Sequence, residues 1–248
     1  RLDAVLISHD HYDHLDRRTV QRLASTGVPF VVPLRVGDRL ARWGVPRDRI
    51  LELDWWESAS FGNTTVTATP ARHFSGRSPF MTDRNQSLWA GFAVVGPEHR
   101  VYYAGDTAMF GGFDEIGRAL GPFDATLMEI GAYNRLWADL HLGPEQAVQA
   151  FLRVGGGLLV PVHWATLDLA MHSWVEPVER LLAEAARTGV EVVVPRPGQS
   201  VEPAVPPIPE RWWPDVPWQT ADEHPVVSWT GTTMPDGRKA MPRINQGA

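Results

Sequence analysis

The sequence predicts a mixed α/β protein built of packed layers. Three observations predict it. Short apolar runs alternate with helix-patterned stretches over residues 1–200. Hydrophobic residues make up 44% of the chain and charged residues 21%, which excludes disorder for its bulk. A chain of 248 residues buries about three quarters of its surface on folding, enough for one substantial core. Composition narrows the function as well. Twenty-three basic residues face 29 acidic ones, whereas a general nucleic-acid binder needs a strongly basic face. The absence of cysteine excludes disulfides, thiolate zinc sites and a cysteine nucleophile. No apolar run reaches the length of a membrane-spanning helix.

The elements follow in order. DAVLIS (3–8) is a buried strand, and Asp16 is the N-cap of a helix running to Ala24. PFVVP (29–33) is a strand, and Val36 to Trp43 is a helix stopped by Gly44. TTVTATPA (64–71) alternates and is rich in Thr and Val, a strand signature. LWAGFAVV (88–95) and RVYYAG (100–105) are paired strands joined by a turn at Gly96-Pro97. ATLMEIG (125–131) is a further strand. Pro144 to Val154 is a helix with Pro at its first turn. Gly155-Gly156-Gly157 lacks the Lys-Ser/Thr of a phosphate loop and precedes a strand, so it is a connecting turn. GLLVPVH (157–163) is a strand, Glu176 to Thr188 a helix, and VEVVVP (190–195) a last strand. Residues 1–202 therefore form the folded domain. Residues 203–248 hold clustered prolines and Trp212, Trp213, Trp218 and Trp229, and are expected to be a C-terminal extension over the surface.

Histidine is scarce, nine in all, yet three fall within His9-Asp10-His11-Tyr12-Asp13-His14. From this composition the pattern H-x-H-x-D-H arises by chance about once in a thousand chains. His9 and His11 stand two apart at the end of a strand, so both imidazoles point to one side. Asp13 and His14 lie where the chain turns into the next helix. Such a cluster suits two metal ions side by side, and imidazole with carboxylate suits zinc, or iron or manganese. Further ligands are expected at strand ends, where open α/β sheets place their sites. His73 follows TTVTATPAR, Asp106 follows VYYAG, and His163 follows GLLVPV.

With these residues in order, the chain resembles the metallo-β-lactamase superfamily. ISHDHYDHLD (7–16), PARHFSGR (70–77), YYAGDT (102–107), IGAYN (130–134), HLGPEQAV (141–148) and PVHW (161–164) are similar to bacterial relatives of N-acylphosphatidylethanolamine-hydrolysing phospholipase D. The resemblance implies an αββα sandwich with the site at one rim of its two sheets. It implies that His9, His11 and His73 hold one metal, that Asp13, His14 and His163 hold the other, and that Asp106 bridges them. This chain departs from the pattern twice. The family's strands ahead of the His motif are missing from it, and Ala108-Met109-Phe110-Gly111-Gly112 replaces a common Gly-Tyr after Gly105-Asp106-Thr107. Since the chain opens on Arg1 immediately before the first strand, a truncated N-terminus is expected, with an unpaired sheet edge and a tendency to dimerise.

The implied function is that of a binuclear hydrolase. A metal-bridging hydroxide attacks a phosphodiester of phospholipase D type, in an N-acyl phospholipid or related amphiphile. Asp13 and Asp106 are the catalytic carboxylates, and His141 is the acid for the leaving alkoxide. Arg72 and Arg77 flank His73 and are candidates to clamp a phosphate. Tyr133 and Asn134 are candidate pocket residues, and Trp164 is expected to serve packing. Peripheral membrane contact is the most that the charge pattern allows. The alternatives are a lactonase or amidase of the same fold, and an inactive metal-binding or interaction fragment.

Overall fold

The computed structural model describes residues 2–226. Its smaller sheet holds β1 (Val5–Leu6), β2 (Phe30–Pro33) and β3 (Ile50–Leu53), all parallel and in that order. The larger sheet holds β4 (Ser58–Phe61), β5 (Thr64–Thr69), β6 (Gly91–Val95), β7 (Arg100–Tyr103), β8 (Phe123–Glu129) and β9 (Gly156–Val162) in sequence order. Pairing is antiparallel from β4 to β7 and parallel from β7 to β9. Parallel neighbours need long crossovers, which here contain helices. Helix α1 (Arg17–Ala24) joins β1 to β2, and α2 (Gly37–Arg42) joins β2 to β3. On the larger sheet α3 (Gly112–Leu120) joins β7 to β8, α4 (Pro144–Val154) joins β8 to β9, and α5 (Glu176–Thr188) follows β9.

Side-chain alternation sorts these elements into four layers. Phe30 and Val32 of β2 pack with Val20 and Leu40 of α1 and α2. Val31, between them, turns to the other face and meets Val66, Ala68 and Phe92 of the larger sheet. The same two-residue period puts Ala93 and Tyr102 on the opposite face, against Phe113 and Ile116 of α3, Phe151 of α4 and Leu181 of α5. The order is helices, small sheet, large sheet, helices, which is the αββα sandwich.

Several local signals act as the sequence predicts. Asp16 caps α1 by accepting a 2.7 Å hydrogen bond from the Thr19 amide. Helices α4 and α5 span the expected residues, each with Pro in its first turn and a left-handed Gly after its last. The last expected strand, 190–195, is reduced to one bridge between Leu159 and Val192. The reason lies in β9. The Leu159 amide donates to Glu191 and the Val193 amide to the Leu159 carbonyl, but the next donor due from β9 is Pro161, which has no N–H. Strands β3 and β4 and helix α3 were not expected. Helix α3 begins on Gly111 with no capping side chain. It carries Gly117 because a Cβ there would lie 2.4 Å from the Arg153 carbonyl of α4.

The C-terminal residues through 226 lie on the helical layer. Trp213 is buried in the core formed by α3, α4 and α5, with Trp164, Trp212 and Trp218 against the same cluster. Its indole N–H donates to Glu179 (2.6 Å), which also pairs with Arg211. Trp229 lies outside the described residues. Strand β1 forms one edge of the small sheet and, among the described residues, pairs with β2 alone.

Candidate metal centre

The site forms where the ends of β1, β5, β7, β8 and β9 meet at one rim of the sandwich. Beyond β1 the chain makes a tight turn in which the Leu15 amide donates to the His11 carbonyl (2.9 Å). This aims His9, His11, Asp13 and His14 toward the larger sheet. Asp10 faces away and braces the turn: its carboxylate accepts from the Gly76 amide (2.8 Å) and from Arg39 (3.0 Å). Beyond β7, Gly105 has φ +63, and a Cβ there would come within 2.9 Å of the Ala90 carbonyl. Only glycine allows this turn, and the turn delivers Asp106 to the centre.

Asp106 is the hub. Its Oδ2 lies 3.1 Å from His14 Nε2, 3.4 Å from His163 Nε2, 3.7 Å from His9 Nε2, 3.8 Å from His73 Nε2 and 3.9 Å from His141 Nδ1. Three ligand groups share it. His9, His11, His73 and Asp106 form one; Asp13, His14, Asp106 and His163 form the second; Asp106, Glu129, His141 and His163 form the third. Within each group the donor atoms all lie within 4.8 Å of one another. The first two groups divide the residues as the resemblance implies.

These residues fit a divalent cation. His73 Nδ1 donates to the Leu140 carbonyl (2.9 Å), which leaves a lone pair on His73 Nε2. That lone pair points at His11 Nδ1 (3.2 Å), which also faces His9 Nε2 at 2.9 Å. Converging imidazole lone pairs are what a divalent ion requires. Asp106 Oδ1, the second oxygen of the central carboxylate, is buried with no hydrogen-bond partner among the described residues. Buried polar atoms in native proteins are otherwise satisfied.

Electrostatics divides the centre in two. Burial holds the basicity of His9 and His73 well below the ordinary imidazole value, although Asp106 opposes it; His11 is lowered for the same reason. On the other side burial acts against charge on His14, but Asp106 and Asp13 outweigh it and push that imidazole up to about 10. His163 is raised in the same way, with burial overcome by Asp106 and Asp13. Burial likewise opposes ionisation of Asp106, yet His163 and His14 hold it well below the ordinary carboxylate range. The carboxylates thus gather positive charge, as protons when the protein is metal-free and as cations when it is loaded.

His141 stands beside this centre. Its Nδ1 lies 2.7 Å from Glu129 Oε2. Burial opposes its charge, but Glu129 overcomes this and lifts it to about 9. Glu129 is a site residue that sequence reasoning missed, because ATLMEIG reads as strand alone. Its one signal is a carboxylate at the end of an otherwise apolar run. Fully buried, it accepts from the Thr107 amide (2.5 Å) and thereby fixes the turn that carries Asp106.

Four residues take places other than those expected. One nitrogen of the Arg77 guanidinium donates to the carbonyls of Asp10 (2.8 Å), His11 (3.1 Å) and Leu15 (2.8 Å), and the group stacks on the Tyr12 ring (3.7 Å). It braces the His motif. Arg72 is engaged by the Met109 carbonyl (3.0 Å) and by Asp139 (3.1 Å). Tyr133 does not line a pocket: its ring is buried and its hydroxyl donates to Glu176 (2.8 Å). Asn134 caps the short turn after it by accepting from the Leu136 amide (2.9 Å). Trp164 packs on Trp212 and Trp213, as expected.

Comparison with known proteins agrees with this geometry. Residues 1–164 match the Beta-lactamase superfamily domain. An uncharacterized protein of Mycobacterium tuberculosis is 56% identical over 216 residues, covering 86% of this chain and 57% of the relative. The N-acyl-phosphatidylethanolamine-hydrolyzing phospholipase D 1 of Caenorhabditis elegans is 35% identical over 193 residues, covering 73% of this chain and 54% of that protein. A metal-dependent hydrolase of Pyrobaculum calidifontis is 30% identical over 195 residues, covering 78% of each. The solved structure of Igni18, a metallo hydrolase from Ignicoccus hospitalis, superposes with a TM-score of 0.63 at 24% identity, over 80% of this chain and 78% of that one. The chain spans little more than half the length of the mycobacterial and nematode relatives. With the sandwich, the His/Asp cluster and these matches together, the chain belongs to the beta-lactamase superfamily and has the metallo-β-lactamase fold.

Proposed function

We propose that the protein is a binuclear phosphodiesterase of phospholipase D type whose substrate is an amphiphile such as an N-acylated phospholipid. The observation that carries this reading is a set of exposed apolar residues on the segments that carry the cluster. Tyr12 (68% exposed), Phe80 (86%), Leu136 (84%) and Met171 (85%) are large exposed hydrophobic residues. Each lies on a segment that holds or follows a ligand: His11, His73, Glu129 and His163 respectively. Leu167, Leu169 and Trp174 add to the last segment, and with Ala132 and Trp164 they line a pocket of about 140 Å³ beside His163. Exposed apolar residues on the segments that also carry a polar centre suit a substrate that joins a charged headgroup to hydrocarbon. Among the described residues no helix is long and apolar enough to cross a membrane. The nematode relative's name assigns that protein the same chemistry.

Two divalent ions, zinc first and iron or manganese next, supply Lewis acidity and lower the pKa of coordinated water when bound. The chain's own residues do the rest. His9, His11 and His73 offer neutral lone pairs. Asp106 sets the separation of the two ligand groups. His141, kept charged by Glu129, stands 3.9 Å from Asp106 with its side chain partly exposed, where it donates a proton to the leaving alkoxide. The discriminating experiment is hydrolysis by the zinc-loaded chain of bis-p-nitrophenyl phosphate, N-acyl phosphatidylethanolamine vesicles and a lactone. The expected result is turnover of both phosphodiesters, with phosphatidic acid released from the vesicles. Turnover of the lactone alone would contradict the proposal.

A further inference from the structure

His172 lies nine residues beyond His163, on the segment that leads into α5. Both of its nitrogens are committed. Nε2 faces the Ala132 backbone nitrogen at 3.0 Å, and Nδ1 faces the Ser173 carbonyl at 3.1 Å. A backbone N–H only donates and a carbonyl only accepts, so one tautomer satisfies both: proton on Nδ1, lone pair on Nε2. The ring is clamped on Tyr133 with centroids 4.4 Å apart and planes 26° from parallel. Tyr133 is held in turn by Glu176. His172 is therefore a tie between the segment after β8 and the segment after β9.

That tie crosses the tightest point of the site's floor. Ala132 has φ +59, His163 has φ +60 and Ala165 has φ +57, three left-handed residues that are not glycine. Such backbones persist only where the surroundings over-determine them. Between them Gly131 lies so close to His163 that a Cβ would stand 2.2 Å from the His163 carbonyl oxygen. The left-handed turn at His163 sets the direction in which its imidazole meets Asp13 (3.2 Å) and Asp106 (3.4 Å). A shift at Ala132 is transmitted through Gly131 to that carbonyl.

We propose that His172 is a positioning residue for His163, which by accepting the Ala132 N–H fixes the turn that aims His163 into the Asp13–His14–Asp106 ligand group. The inference rests on the binuclear reading above. It predicts a site-selective effect: loss of the acceptor weakens the ion held with His163 and leaves the one held by His9, His11 and His73 unchanged. Burial lowers the basicity of His172; the Ser173 carbonyl, Glu176 and Asp168 oppose this, while His224 reinforces it. The neutral tautomer that the tie requires is thus the stable one.

The test uses the full chain loaded with zinc and titrated with a competing chromophoric chelator. His172→Phe keeps the stacking ring and removes the acceptor. His172→Gln places an amide oxygen near the position of Nε2. Outer partners of metal ligands are typically worth about 10- to 100-fold in affinity. The wild type is expected to hold two ions. His172→Phe should release one of them with affinity reduced at least about tenfold, the other unchanged, and His172→Gln should restore it to within about threefold of wild type. If His172→Phe proves unable to fold, His172→Gln decides alone: near wild-type affinity supports the role, and loss overturns it. Two ions held at wild-type affinity by His172→Phe, or equal weakening of both, would overturn the role of His172 while leaving the binuclear reading intact. A wild-type stoichiometry of one would overturn the binuclear reading itself, and this inference with it.

Discussion

Replacing Asp106 with Asn is the most decisive single perturbation of this centre. Oδ2 of Asp106 lies 3.1 to 3.9 Å from five imidazole nitrogens, so a cation held among them stands within about 4 Å of this oxygen. A unit charge at that distance and an effective dielectric of about 20 is worth about 4 kcal/mol. Removing it weakens each ion by at least about a thousandfold, since a divalent ion doubles that figure and 1.36 kcal/mol is a factor of ten. The amide also turns N–H groups toward nitrogen lone pairs. The fold should persist, because Asp106 lies at the rim and not in the apolar layers. The assay is zinc competition together with bis-p-nitrophenyl phosphate hydrolysis on a variant checked by circular dichroism. Retention of more than about a tenth of the wild-type rate, or of both ions at wild-type affinity, would refute the bridging role.

Further outcomes follow from the same geometry. Activity should fall below about pH 6, as protons displace metal from the imidazoles. In the metal-free protein, Asp13 and Asp106 are held below the ordinary carboxylate range, so their stabilisation is present above about pH 4 and lost as pH falls. His14 and His141 are raised to about 10 and about 9, so theirs is full below about pH 6.5 and fades as pH rises through those values. The Tm difference between zinc-loaded and chelator-treated protein should therefore widen from pH 6 to pH 9 and vanish near pH 5; a difference independent of pH contradicts this. Arg77→Ala removes a charged donor from three carbonyls of the His motif and should cost about 2 kcal/mol, lowering Tm by about 4–8 °C. An unchanged Tm would show that the motif holds its turn unaided. Trp213→Ala empties a buried indole site between α5 and the C-terminal segment and should cost about 3–5 kcal/mol by urea unfolding, whereas an unmoved midpoint would mean that the segment does not dock in solution.

What was legible in the sequence was whatever a short stretch specifies by itself. The Asp16 cap, the Pro and Gly bounds of α4 and α5, and the alternation in 64–69 are local, and the structure carries each of them. The residues of the His/Asp cluster were legible for the same reason, being polar residues placed directly after apolar runs. Features that depend on contact across the chain were hidden. Helix α3 has no capping side chain, and its Gly117, a helix breaker by propensity, is required by α4. The strand at 190–195 ends early because of a proline in its neighbour. Arg77 and Tyr133 flank ligand motifs in the chain, yet their polar groups turn toward backbone carbonyls and toward Glu176. Glu129 and His172 act through the Thr107 and Ala132 amides, partners that no spacing rule connects to them.

On the proposed reading, two ions sit on either side of Asp106. Crystals of the zinc-loaded chain, measured for anomalous scattering at the zinc edge, test it directly. The expected result is two peaks about 3.5–4 Å apart, one ringed by His9, His11 and His73, the other by Asp13, His14 and His163, with Asp106 reaching both. A single peak, or peaks away from Asp106, would contradict it.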